Sequence, residues 1–540
     1  MAVKLERDPS GRVIKEWQND HWIASSYDEL GNRSQITSSL GAKIDVARNE
    51  MGNVSQITAS RSEQENWTAA MQYNELGQEI ERILPGDVIS KWQYDVAGRP
   101  THHRISIQNR DARRRVYNWD ANHRLRSMVN ELTGVKVTYG YDEFSNLVWS
   151  NQGGQFDFLH RSVDDVGNLY ETKEKTDRVY GAGSRLLETK EATFSYDDEG
   201  NLVQKVEKNG DTWKYEYNGN GMMSKVIKPD NTEVTFKYDS LGRRIEKSSD
   251  EKTMRFVWDG NTILHEYFSK NNSDKFDNLE EYSSPSNSEI RDNLVTWVFK
   301  EGFIPSAKIT NEGNFSIISD YLGTPVEAFD EEGNRVWSAE LDIYGRVNEF
   351  TGEKDFIPFR YQGQYEDKEV NLYYNRFRYY SPSEGIYTQQ DPIGLEGNNP
   401  TLYGYIRDSN IEVDPLGLTN WSAFLRALNI PQPPGLTNPH GHHIVFKGVF
   451  KDKRGIYVKI SQGILDAYKI GINDPSNLMW ASNTKGVHTE ANAKKVAEAL
   501  MEKHKELLPQ LSGEAEAFKN AQKQMKEHLQ KVGEKVFSCY

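Results

Sequence analysis

Short runs of alternating apolar and polar residues, broken by turn residues, fill the first 350 positions of the chain. In Trp213-Lys214-Tyr215-Glu216-Tyr217 the three aromatics share one face of a strand, 218–221 supplies Asn and Gly for a turn, and 223–227 reads as the returning strand. The spacing predicts a β-hairpin. The unit recurs as an aromatic followed by Asp or Asn and, shortly after, by Gly, Asn or Arg. Copies start at Tyr27, Tyr73, Tyr94, Trp119, Tyr141, Tyr196, Tyr217, Tyr238 and Trp258, with a degenerate copy at Val163, and several neighbours lie 20 to 25 residues apart. One such hairpin cannot bury its aromatic face, so neighbours must stack into a long quasi-continuous sheet, and a mainly β architecture is expected. Each repeated Asp is read as a turn residue that bonds its own backbone.

After Leu418 the repeat stops and the composition changes, with half of the 12 histidines in the last 122 residues. Short strands are expected over 441–450 and 456–460, and a helix over 461–468. Two longer helices, over 489–508 and 513–532, carry apolar residues at helical spacing, among them Val496, Leu500 and Leu507, with Pro509 and Gly513 between them. The expected division is 1–320 for the repeats, 321–418 for a junction segment and 419–540 for a small α+β domain.

At 540 residues the chain exceeds the ~250–300 at which single cores stop growing, which fits three or four ordinary domains or one large repeat assembly. The abundance of Tyr (28), Phe (21) and Trp (12) favours pleated surfaces and the second option. The net charge of −14 hides an asymmetry: from Thr419 onward there are 17 Lys and Arg against 11 Asp and Glu, or +6, which leaves −20 for residues 1–418. A basic tail on an acidic body points to a separate partner for the tail, with nucleic acid one class that fits; a solvated helix face fits as well. Cys539 is the single cysteine, which excludes an intrachain disulfide, a CxxC pair and a cysteine-rich zinc site. The first 20 residues are charged and no window approaches ~18 uncharged apolar residues, so neither a signal peptide nor a membrane span is expected.

The aromatic-Asp unit resembles the YD repeat of the Rhs family over roughly residues 20–350. Residues 321–418 strengthen the likeness through five blocks in order: Tyr321-Leu322-Gly323-Thr324-Pro325, Val336-Trp337, the run from Tyr373 to Tyr380, Asp391-Pro392-Ile393-Gly394-Leu395 and Asp414-Pro415-Leu416-Gly417-Leu418. This segment is similar to the Rhs-repeat-associated core of bacterial polymorphic toxins. The resemblance implies a β-cocoon that the core closes around a variable C-terminal toxin, with the core cutting the chain between Leu418 and Thr419. It further implies a toxin made without a signal peptide and delivered by a contact-dependent secretion system. The expected partners are a spike or adaptor, a chaperone and a cognate immunity protein. Residue chemistry supports the cut independently. Two carboxylates brought together cannot both ionise, so one serves as acid and the other as base, and Asp391 and Asp414 are the candidates. Arg378 is the matching cation, able to hold one carboxylate ionised or to bind the polarised carbonyl.

In the tail, His440, His442 and His443 are followed by Asn477 and then by His488 before a predicted helix. Paired histidines, a later Asn and a third His are the parts of a ββα-metal finger, and the segment 439–500 is similar to the AHH and GHH branches of the HNH/endonuclease VII superfamily. That resemblance makes His442 and His488 ligands of a divalent ion (Mg²⁺, Mn²⁺ or Zn²⁺), His443 the general base and Asn477 the residue that orients it. Two departures stand out: Gly441 occupies the position of the Ala in the AHH name, and Phe446 stands where many relatives have Pro. The 34 residues from His443 to Asn477 leave Asn473 and Asn483 as alternative partners. His440, His504 and His528 are expected at the surface. The leading expectation is a metal-dependent DNase released from a shell. The alternatives are a cell-surface YD-repeat protein that binds carbohydrate, and an RNase in the same shell.

Overall fold

The computed structural model describes residues 2–61, 65–154, 157–270, 292–394, 399, 401–418, 439–443, 454–468, 478–482, 490–511 and 515–537. They form two compact units, one of residues 1–392 and 400–418, the other of 393–399 and 419–540. No helix among the described residues is long and apolar enough to cross a membrane.

The first unit is built from antiparallel meanders. Fifteen strands, from Val3–Arg7 to Phe158–His160, pair strictly in chain order, and sixteen more, from Arg178–Tyr180 to Val347–Thr351, do the same. The second meander therefore continues past residue 320, and the Asp-capped turns continue with it at Asp320, Asp330 and Asp342. The predicted hairpin is present: Thr212–Tyr217 pairs with Met223–Ile227, Tyr215 opposite Val226.

Most copies of the repeat do the same two jobs, although in the Trp258 copy the Asp259 carboxylate pairs with Arg33 instead. The acidic or amide side chain caps the turn: Asp95 Oδ1 accepts from the backbone N–H of Ala97 and Arg99, and Asp120 Oδ1 accepts from Asn122 and Arg124. The aromatic sits at a bulge, where the register shifts at Tyr27, Tyr73, Tyr217 and Tyr238. From there the polar tip reaches a carbonyl of the preceding repeat. Tyr217 donates to Leu202 O at 2.9 Å, Tyr238 to Met223 O at 2.6 Å, and Trp119 Nε1 to Pro100 O at 2.6 Å. The ring thus buries apolar area against its neighbours while its donor is satisfied, and the repeats are stitched in sequence.

The two large sheets pack on each other through mixed apolar clusters that include Ile44, Ile57 and Trp67 from the first and Val298, Ile309 and Phe329 from the second. Trp67 is fully buried, and its indole N–H donates to Ser316 Oγ at 2.9 Å. The sheets also touch backbone to backbone at two turns. Gly86 and Gly333 both have positive φ, +73° and +86°, and a Cβ on Gly86 would lie 2.1 Å from Gly333 N. Gly86→Ala is therefore expected to lower the melting temperature of the protein by several degrees, since the backbone conformation alone costs about 1–3 kcal/mol for a non-glycine residue. An unaltered thermal transition would show that the two turns do not meet.

Four short strands, Tyr365–Asp367, Leu372–Asn375, Arg378–Ser381 and Ile386–Tyr387, form a separate small sheet rich in buried tyrosines. Arg244, from the second large sheet, is buried against this sheet with a forked ion pair to Asp367, which Lys247 also reaches at 2.9 Å. Paired in this way, the burial of two cations is electrically tolerable.

The second unit contains a two-stranded ladder, Pro439–His443 with Leu478–Ser482, and three helices: α1 (Arg454–Ala467), α2 (Glu490–Leu511) and α3 (Ala515–Phe537). Helix α2 packs on both others around Val458, Leu465, Tyr468, Val496, Leu500, Met525 and Leu529. Residues 456–460, expected as a strand, lie inside α1. Their alternating Ile456, Val458 and Ile460 imitate a strand, but Val458, Ser461, Leu465 and Tyr468 form one buried helical face, and packing outweighs β-propensity. Helix α2 also runs through Pro509, which lies two residues before its end and lacks the N–H that would bond the carbonyl four residues back. His504 and His528, expected at the surface, are half-buried: His504 Nδ1 lies 3.1 Å from the Tyr468 hydroxyl, and His528 Nε2 lies 3.2 Å from Ala499 O.

Candidate functional site

The small sheet sets the geometry of the junction. Leu372–Asn375 turns sharply into Arg378–Ser381 with Asn375 opposite Arg378, and Arg376 takes the left-handed conformation that so tight a turn needs (φ 57°). Arg378 is thus the first residue after a turn, and its buried guanidinium lies over the Tyr387 ring at 3.6 Å. Asp391 is fixed by its backbone N–H, which donates to Leu402 O at 2.9 Å.

Residues 414–418 lie along this turn as a bound segment. The Phe377 N–H donates to Leu416 O at 3.3 Å, Arg378 Nε donates to Gly417 O, and Asn375 Nδ2 donates to Asp414 O at 2.9 Å. Gly417 has φ +65°, and a Cβ there would lie 2.5 Å from Asn375 O, so the close approach requires glycine. The Leu418 N–H donates to Asp414 Oδ1 at 2.8 Å. Both polar atoms of the Gly417–Leu418 peptide are therefore held, one by Arg378 and one by Asp414.

Asp391, Asp414 and Arg378, which are far apart in sequence, meet here. One guanidinium nitrogen of Arg378 lies 3.0 Å from Asp391 Oδ2 and 3.5 Å from Asp414 Oδ2, and all three side chains are at most 2% exposed. Two buried carboxylates thus face one buried cation, a deficit that favours retention of a proton. Burial, helped by the Asp391 charge, pushes the Asp414 carboxyl up to about 6, against the opposing pull of Arg378, the Tyr387 hydroxyl and the Leu418 N–H. A carboxyl that changes protonation near neutrality, next to a second carboxylate and a held peptide, is equipped for acid–base hydrolysis of an amide.

The sequence reading missed two residues of this cluster. Tyr387 donates to Asp414 Oδ2 at 2.8 Å, and Asn375 Nδ2 lies 2.7 Å from the Tyr387 oxygen. Asn375 stands inside the run from Tyr373 to Tyr380, and Tyr387 only four residues before Asp391, but neither type suggests acid–base chemistry without the fold.

The tail residues divide differently. His440, His442 and His443 lie on the strand Pro439–His443, where His442 pairs with Met479 and His443 with Leu478. Asn473, Asn477, Asn483, His488 and Thr419 lie outside the described residues. In sequence, Asn477 adjoins Leu478, the register partner of His443, whereas Asn483 adjoins Ser482, the partner of Pro439. Among the described residues no group of three His, Cys, Asp or Glu is placed to hold a metal ion.

Comparison with known proteins bears on the first unit above all. The pattern of the Teneurin YD-shell family matches residues 82–399. "Double-stranded DNA deaminase toxin A" of Burkholderia cenocepacia (strain H111) is 28% identical over 440 residues, 77% of this chain and 30% of that protein. "Probable deoxyribonuclease RhsB" of Dickeya dadantii (strain 3937) is 25% identical over 452 residues, 77% of this chain and 29% of that protein. The chain thus spans under a third of the length of these relatives. The crystal structure of TcdB2-TccC3 superimposes with a TM-score of 0.56 at 17% identity, covering 77% of this chain and 24% of that one, a likeness of fold.

Proposed function

Because the chain belongs to the Teneurin YD-shell family, we propose that it is the shell and cargo of an Rhs-type toxin, in which Asp391 and Asp414 cut the Leu418–Thr419 bond and free a metal-dependent nuclease. The observation that carries this reading is the meeting of Asp391 and Asp414 at Arg378, with Arg378 and Asp414 also holding the Gly417–Leu418 peptide.

Arg378 gives Asp391 its counter-charge, so Asp391 is the base: it takes a proton from water as the oxygen adds to the Leu418 carbonyl carbon. Asp414 is the acid: its proton passes to the Thr419 nitrogen as the C–N bond breaks, leaving a carboxyl on Leu418 and an amine on Thr419. The Asp414 carboxyl, raised to about 6, carries the proton below that pH and loses it above. Cleavage is therefore expected to slow about tenfold per pH unit above pH 6. The measurement is cell-free synthesis followed by a pH jump, with the conversion timed on denaturing gels. A rate that rises from pH 6 to 8 would reverse the two roles.

For the tail, the relatives' names include a deoxyribonuclease and a DNA deaminase, which supports nucleic acid as the substrate class, and its charge of +6 fits a polyanion. The antiparallel pairing of Pro439–His443 with Leu478–Ser482, and helix α2 following the second strand, support the HNH reading, with α1 inserted between the two strands. Two imidazoles, His442 and His488, would hold a divalent ion of the zinc or manganese kind. Once bound, that ion stabilises charge on the phosphate and the leaving oxygen. His443 takes the proton from the attacking water, and Asn477, next in sequence to the register partner of His443, holds the imidazole in place. A producing cell then needs an acidic immunity protein against the basic tail.

A further inference from the structure

Asp414 is held by more than its arginine. The Tyr387 hydroxyl donates to Asp414 Oδ2 at 2.8 Å, and the Asn375 amide donates to the Tyr387 oxygen at 2.7 Å and to the Asp414 backbone carbonyl at 2.9 Å. All three side chains are buried. A phenol has a single proton, and the amide can only donate to its oxygen, so the Tyr387 proton is committed to Asp414. The order of the bonds is thereby fixed, from Asn375 to Tyr387 to Asp414. Resting on the self-cleavage reading, we propose that Tyr387 and Asn375 are positioning residues for that reaction, a directed pair of hydrogen bonds that aims the Asp414 carboxyl at the bond to be cut.

The arrangement has a signature that mere packing lacks. The charged and titratable groups facing Asp414 are Arg378, Asp391, Tyr387 and Tyr405. Of these, Tyr387 donates to the carboxylate and favours its ionised form. Without that hydroxyl the carboxyl keeps its proton to higher pH and loses a restraint on its rotamer. Tyr387→Phe retains the ring against Arg378, so it removes the bond and keeps the packing.

Tyr387→Phe is expected to cut at least tenfold more slowly below pH 6, with the alkaline fall in rate displaced upward by about one pH unit. Asn375→Ala is expected to shift it in the same direction by less. Tyr380→Phe is the control: Tyr380 donates to Tyr344 O at 2.7 Å in the same small sheet, and its loss should leave the pH profile unmoved. A wild-type rate and profile in Tyr387→Phe overturns the proposal, as does a slower rate with an unmoved profile. Should Tyr387→Phe not be cut at all, the carboxyl titration is read directly by ¹³C NMR of aspartate-labelled protein. Both chains then carry Asp391→Asn so that neither is cut, and the Asp414 signal is identified by its loss in Asp414→Asn. An Asp414 midpoint raised by about one unit supports the proposal, and an unchanged one ends it. If the wild-type chain itself is never cut, the proteolytic reading fails, while this titration still decides what Tyr387 does to Asp414.

Discussion

Asp391→Asn and Asp414→Asn are each expected to run as one 62.0 kDa chain on a denaturing gel, where the wild type separates into pieces of 418 and 122 residues. Asparagine keeps the size and most hydrogen-bonding capacity of aspartate but can neither take a proton from water nor give one to an amine. Loss of a general acid or base costs about 10²–10⁴ in rate, enough to turn a reaction complete within protein synthesis into one unseen over hours. Arg378→Gln is expected to be worse for folding, because it leaves two carboxylates buried without their cation. Wild-type processing in both aspartate variants would remove the assignment of the dyad.

The second large effect falls in the tail. His443→Ala is expected to abolish DNA cleavage, by about 10²–10⁴, while leaving metal and DNA binding nearly intact, because in the proposed mechanism it removes a base and neither a ligand nor a phosphate contact. His442→Ala and His488→Ala are expected to weaken metal binding instead, with partial recovery at high Mn²⁺ or Mg²⁺ as mass action refills the site. Plasmid DNA and RNA incubated with residues 419–540 in Mg²⁺, then with chelator, separate a DNase from an RNase. Full activity after chelation, or in His443→Ala, would contradict the metal-finger mechanism.

The parts of this molecule differed in how legible they were before the structure. The repeated aromatic-Asp pair was readable because it is a local device: the Asp side chain reaches its own turn within four residues, so spacing alone reveals it. The role of the aromatic was only half readable. Its burial follows from alternation, but the bond from Tyr238 to Met223 O, 15 residues back, depends on the stagger of adjacent hairpins. In the candidate site, Asp391, Asp414 and Arg378 stood out through ionisable chemistry and repeated Asp-Pro-x-Gly blocks. Tyr387 and Asn375 gained their meaning only when the turn at Arg376 brought them against Asp414. In the tail, the strand expected at 456–460 became part of α1, because period-two alternation over five residues is weaker than a buried face extending to Tyr468.

In the proposed reaction the core cuts its own chain at one bond. Intact-mass spectrometry of the purified wild-type protein in denaturant tests it most directly. The expected result is two species, one ending at Leu418 and one beginning at Thr419, in equal amounts and co-purifying before denaturation. A single uncut 62.0 kDa mass, or a break at any other bond, would contradict it.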